Sequence, residues 1–133
     1  MEEAKGAAKY RHIRLQVLEA RTPDQVSARI EEATKTTAAG LLIFEDTLIY
    51  SIRGKVADLV ATRLRLPATY VYRDSVAAGG LMSYGPDRSH IYRRAAELVD
   101  KILNGANPGD VAVEQPTRFE FVVNLKAATG SGI

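Results

Sequence analysis

The chain has 133 residues, 46% of them hydrophobic, with 18 Lys and Arg against 16 Asp and Glu for a formal net charge of +2. This is the length and composition of one globular domain, and the charge is too small to steer the chain onto phosphate backbones or anionic lipid. With no cysteine there are no disulfides, zinc-thiolate sites or thiol nucleophiles. No apolar run approaches the about 20 residues of a membrane span, and the one from Gly40 to Phe44 stops at Glu45. The opening Met-Glu-Glu-Ala-Lys is too acidic and polar for a signal peptide, so as written the chain is not addressed for export.

The first ten residues suit a short helix. Ile13, Leu15 and Val17 then alternate with Arg14 and Gln16, a period of two that predicts a strand over 12–19. Thr22-Pro23-Asp24-Gln25 reads as a helix start, with Thr22 as cap, Pro23 at the first helical position and Gln25 placed for a capping box. That helix runs to about Lys35 with Val26, Ile30 and Ala33 on its inner face. Residues 40–44 fit a central parallel strand covered on both faces, and Glu45-Asp46 marks its exit. A helix is expected over 47–65, lined by Ile52, Val56, Leu59 and Val60, and Pro67 then turns the chain into a strand over 68–72. Residues 81–85 form an extended, glycine-flanked crossover. The helix over 87–104 is the clearest element, with Ile91, Ala95, Leu98, Val99, Ile102 and Leu103 on one stripe that needs a partner. After a loop over 104–117, Phe119, Phe121 and Val123 share one face of a last strand, and the tail Thr129-Gly130-Ser131-Gly132 reads as frayed.

Alternating strands and helices predict an α/β fold, doubly wound around a mainly parallel sheet, with ligands beyond the carboxyl ends of strands. The segments in question are Glu45-Asp46-Thr47, Arg73-Asp74-Ser75 and Ser83-Tyr84-Gly85. Neither a dinucleotide fingerprint nor a P-loop is present, so a nucleotide cofactor is not expected. His12 and His90 fall in separate elements with no acidic residue at ligand spacing, which argues against a metal site. No G-x-S-x-G turn supports a serine nucleophile, so no catalytic residue is assigned. Asp46 at the end of a buried strand also fits the phosphoacceptor of a receiver-like regulatory domain, although the first strand exit offers only Glu19 and no acidic pair.

Three long segments carry a resemblance: Ala77-Ala78-Gly79-Gly80-Leu81-Met82-Ser83-Tyr84-Gly85-Pro86, then Tyr92 to Ala96 with Val99 to Ala106, then Val113-Glu114-Gln115-Pro116-Thr117-Arg118-Phe119 through Lys126. In order and spacing they resemble the C-terminal half of ABC-transporter substrate-binding proteins, of the type that includes tryptophan-binding ones. The resemblance covers nearly the whole chain. It implies one flavodoxin-like lobe of a two-lobed type I periplasmic binding protein that traps a solute between lobes and passes it to an ABC permease, without catalysis or cofactor. By position it implies that ligand-facing loops carry Asp46, Thr47, Tyr50 and Ser51, then Arg73, Asp74 and Ser75, then Ser83 and Tyr84 at a hinge. Such polar groups with an aromatic wall suit a zwitterionic or small polar solute. A periplasmic location follows from the same resemblance. The helix over 87–104 would pack on the other lobe, and without that lobe its stripe is expected to pair two chains into a homodimer.

Overall fold

A computed structural model describes residues 2–131. Helix α1 (Glu2–Tyr10) opens the chain, and α2 (Pro23–Thr34) begins where the cap chemistry put it: the Gln25 backbone N–H donates to Thr22 Oγ1 at 3.3 Å. The reciprocal half of the box shifts by one residue, since Gln25 Oε1 accepts from the Arg21 backbone N–H at 2.9 Å. Val26, Ile30 and Ala33 are buried as the helical period requires.

Between these helices the expected strand over 12–19 is absent. After a turn at 11–12 the segment belongs to no helix or sheet, and Ile13, Leu15 and Val17 are exposed. Alternation gives a segment a strand's two faces, yet a strand exists only where a neighbour accepts its backbone hydrogen bonds.

The sheet has four strands in the order β1-β2-β3-β4: β1 (Leu41–Leu42), β2 (Ala68–Tyr70), β3 (Met82–Pro86) and β4 (Phe119–Val123). The first three are parallel, and β4 runs antiparallel to β3 with Tyr84 opposite Phe121. The run 40–44 is therefore an edge strand and not a central one. Leu42 and Phe44 are 52% and 51% exposed, so only one face is covered.

The helix expected over 47–65 is divided. α3 (Thr47–Ser51) and α4 (Arg53–Asp58) meet at Ile52, and α4 continues into a wide π-helical stretch, Leu59–Leu64, closed by Arg65 in the left-handed conformation. Its inner stripe is nevertheless the expected one. Val56, Leu59 and Val60 join Val26, Ile30, Ile43, Ala68 and Tyr70 in a core between α2, α4 and the first two strands. Burying a side chain of this kind contributes about 1.5–3 kcal/mol, which holds the broken helix against the sheet despite its irregular backbone.

The strand expected to reach residue 72 ends at Tyr70, and Tyr72 instead precedes a short helix, α5 (Arg73–Ala77). The crossover at 81–85 is a true strand. Helix α6 (Arg88–Leu103) keeps its expected limits, capped by Asp87 Oδ1 accepting from the His90 N–H at 3.1 Å. Ile91 and Leu98 are half-buried, but Ala95, Val99, Ile102 and Leu103 face solvent. On β4 the face bearing Phe119, Phe121 and Val123 is likewise open. The tail expected to fray forms α7 (Leu125–Ser131), started by Asn124 Oδ1 accepting from the Lys126 and Ala127 N–H groups; Gly132 lies outside the described residues. No helix among the described residues is long and apolar enough to cross a membrane.

Candidate functional site

The loops after β1 and β2 and the start of α6 converge on a cleft of about 460 Å³ lined by Glu45, Asp46, Thr47, Tyr50, Tyr72, Arg88, Ile91 and Tyr92. Two short-range signals and one contact between separate strand exits build it. Asp46 Oδ1 accepts from the Ile49 N–H at 2.9 Å, which starts α3 and turns Tyr50 toward the cleft. Glu45 Oε1 accepts from the Tyr72 N–H at 3.3 Å, tying the β1 exit to the β2 exit. Arg88 and Tyr92 stand one helical turn apart on α6, so both project from one face.

Arg88 is the centre of the arrangement. Its guanidinium lies 5.0 Å from the ring centres of Tyr50 and Tyr72 and 5.8 Å from that of Tyr92, within cation–π range of all three. Nη2 donates to the Tyr92 hydroxyl at 3.0 Å and Nη1 to Asp74 Oδ2 at 3.1 Å. The Tyr92 hydroxyl, and after it that of Tyr50, pushes the Arg88 pKa still higher than the ordinary arginine value, so the charge is permanent. Arg53 adds a second cation 4.4 Å from the Tyr50 ring and donates to the Tyr50 carbonyl at 2.8 Å. Against these cations stand the carboxylates of Glu45 and Asp46. One Glu45 oxygen, Oε2, is buried with no hydrogen-bond partner. At the end of β2, burial pushes the Tyr70 phenol up to about 12, with the Glu45 charge adding to the shift.

The nine residues singled out from sequence are thus divided. Asp46, Thr47 and Tyr50 line the cleft, and Asp74 joins it through Arg88. Ser51 Oγ donates to the Leu48 carbonyl at 2.7 Å on the exposed side of α3. Arg73 makes a long 3.4 Å contact with Glu120 at the surface. Ser75 and Ser83 are fully enclosed, with hydroxyls that have no partner. Tyr84 is exposed and stacks on Phe119. Glu45 falls in the strand-exit segment marked from sequence, though not among the nine residues, whereas Tyr72, Arg88 and Tyr92 were not singled out; the i, i+4 spacing of Arg88 and Tyr92 was the available signal.

A larger groove of about 820 Å³ runs along α6, but its lining comes from that helix and residues 114–118, with none from the exits of β1 and β2. Both of its lining acids are already engaged, since the Arg94 guanidinium forks onto both Glu114 oxygens and also reaches Glu97. Among the described residues no group of three or more His, Cys, Asp or Glu side chains could hold a metal ion. A receiver-like phosphoacceptor role for Asp46 would need such an acidic group beside it, and one Asp46 oxygen already serves as helix cap.

Comparison with known proteins agrees with this architecture. A conserved domain protein from Vibrio cholerae superposes with a TM-score of 0.89 at 24% identity, covering 100% of this chain and 44% of that one. An ABC domain in complex with L-Trp from Streptococcus pneumonia superposes with a TM-score of 0.87 at 21% identity, covering 99% of this chain and 45% of that one. At these identities the likeness concerns the fold, an α/β arrangement on a mostly parallel sheet, and the chain spans less than half the length of either structure. No curated protein sequence matches. The family model described as ABC transporter substrate binding protein matches residues 1–133. The chain therefore belongs to the ABC transporter substrate-binding protein family.

Proposed function

We propose that the protein binds a small zwitterionic solute with a flat ring and delivers it to an ABC permease, without turnover. The observation that carries this reading is the cleft of three tyrosines around Arg88, with Glu45 and Asp46 on its other side. The cations suit a carboxylate, the acids an ammonium group, and the tyrosines a planar or aromatic body. The L-Trp bound by the Streptococcus structure has these features, which makes aromatic amino acids the first solutes to try.

The proposed ligand-facing set is Asp46, Thr47 and Tyr50 with Glu45, Tyr72, Arg88 and Tyr92. In this reading the chain is one lobe, 81–85 is part of the hinge, and the exposed side of α6 packs on a second lobe. The protein acts in the periplasm. The 133 residues by themselves cover that side by pairing as a homodimer. A single lobe supplies only part of a solute's contacts, so affinity for the isolated chain is expected near the millimolar range, about −4 kcal/mol.

The test is an NMR titration or calorimetric screen of the chain with L-tryptophan, other amino acids, purines and small organic acids. The expected result is saturable binding of an aromatic amino acid that Tyr50→Ala abolishes. Binding confined to purines or organic acids, or sustained chemical conversion of any solute, would overturn the proposal.

A further inference from the structure

Arg88 carries five N–H donors on a rigid planar fork. Its protein partners are the Tyr92 hydroxyl, the Tyr50 hydroxyl and a single oxygen of Asp74, which leaves donors of the fork without a protein acceptor. The Asp74 contact is one hydrogen bond, with side chains 32% and 40% exposed for Arg88 and Asp74. Water competes for both partners there, so the pair is weakly held. The rings of Tyr50, Tyr72 and Tyr92 meanwhile fix the guanidinium and line the space beside it. Arg88 is also the first residue of the 16-residue α6, where the helix end contributes positive potential.

A planar group with two oxygens can take two parallel N–H donors where Asp74 takes one, and such a fork is stronger and more directional than a single contact. Resting on the proposed function above, we infer that Arg88 is the receptor for the solute's carboxylate and that Asp74 is an exchangeable counter-ion, which the solute must displace. Asp74 thereby sets a threshold: solutes without a carboxylate gain nothing from Arg88, and those with one bind against an internal competitor.

Three probes separate the parts of this inference: L-tryptophan, indole-3-propionate, which keeps the carboxylate and lacks the ammonium, and tryptamine, which keeps the ammonium and lacks the carboxylate. Titration of each into the wild-type chain, Arg88→Lys, Asp74→Asn and the double variant, followed by NMR, reads the contributions directly. Arg88→Lys keeps the charge but loses the fork, and is expected to weaken the two carboxylates about tenfold while leaving tryptamine within about twofold. Asp74→Asn is expected to tighten the two carboxylates about threefold, and the gain should vanish in the double variant. Arg88→Gln, matched to wild type in melting temperature, guards against a folding artefact. Equal weakening of all three probes by Arg88→Lys, or weaker carboxylate binding in Asp74→Asn, overturns the inference and leaves the proposed function standing. Failure of the wild-type chain to bind L-tryptophan, either analogue or any other aromatic amino acid overturns both.

Discussion

A Cβ placed on Gly85 would lie 2.1 Å from the carbonyl oxygen of Val71 and 3.0 Å from its carbonyl carbon. Both atoms are backbone, so the chain after β2 passes against β3 with no room for a side chain. Gly80 is similarly enclosed, its Cβ falling 2.6 Å from Tyr70 Cε2 and 2.8 Å from the Ser75 carbonyl oxygen. Neither needs a left-handed backbone; that requirement falls on the neighbouring Gly79, with a φ of +111°. Gly85→Ala and Gly80→Val are each expected to destabilise by about 1–3 kcal/mol, with Gly85→Ala the worse for its size because backbone cannot rotate away. Chemical denaturation measures both; an unchanged midpoint for either would mean that the strands part more easily than this packing allows.

Tyr70 gives the protein an alkaline limit. Its folded-state pKa of about 12 lies above the ordinary value of 10.0, so folding favours the protonated phenol. The associated stability is intact below pH 10 and is lost as pH rises from about 10 to about 12, a decline of about 2–3 kcal/mol. Because the Tyr70 hydroxyl is buried without a partner, Tyr70→Phe should cost little at pH 7 and should flatten that decline. Melting curves from pH 7 to pH 11.5 check it, and an equally steep alkaline arm in Tyr70→Phe would assign the loss to other groups.

The outward side of α6 predicts self-association. Val99 is 54% exposed, and Ile102 and Leu103 beside it are also open. Apolar surface of this kind favours contact by about 25 cal/mol per Å². Sedimentation equilibrium at tens of micromolar should find a dimer, and Val99→Glu should shift it to monomer while changing stability by less than about 0.5 kcal/mol. A wild-type species of 14.5 kDa would refute the pairing.

Ser83 pairs in register with Tyr70 across β2 and β3, which encloses its hydroxyl. Ser83→Ala removes a buried, unpartnered polar group, so stability should be unchanged or rise by up to about 1 kcal/mol. Solute affinity should not move, because the hydroxyl lies outside the cleft lining. A loss of affinity at unchanged stability would bring Ser83 back into the site.

The sequence by itself determined what neighbours in the chain can settle. Thr22, Pro23 and Gln25 start α2, Asp87 starts α6, and the 3.6-residue period of Ile91, Leu98 and Val99 defines its stripe, since caps and helical faces involve residues within two turns. The alternation of Phe119, Phe121 and Val123 likewise gave β4 its two faces. Tertiary structure decided the rest. Ile13, Leu15 and Val17 alternate as clearly as β4 does, yet only β4 finds a neighbour, β3, to take its backbone hydrogen bonds. The apolar run 40–44 reads the same at a sheet's centre or edge, and only the strand order put it at the edge. The cleft is the extreme case: the strand-exit rule reached Glu45, but Tyr72 and Arg88, which lie far from it in the chain, were unremarked by any local rule. They meet because parallel strands bring their carboxyl ends, and the helices that follow, to one side of the sheet.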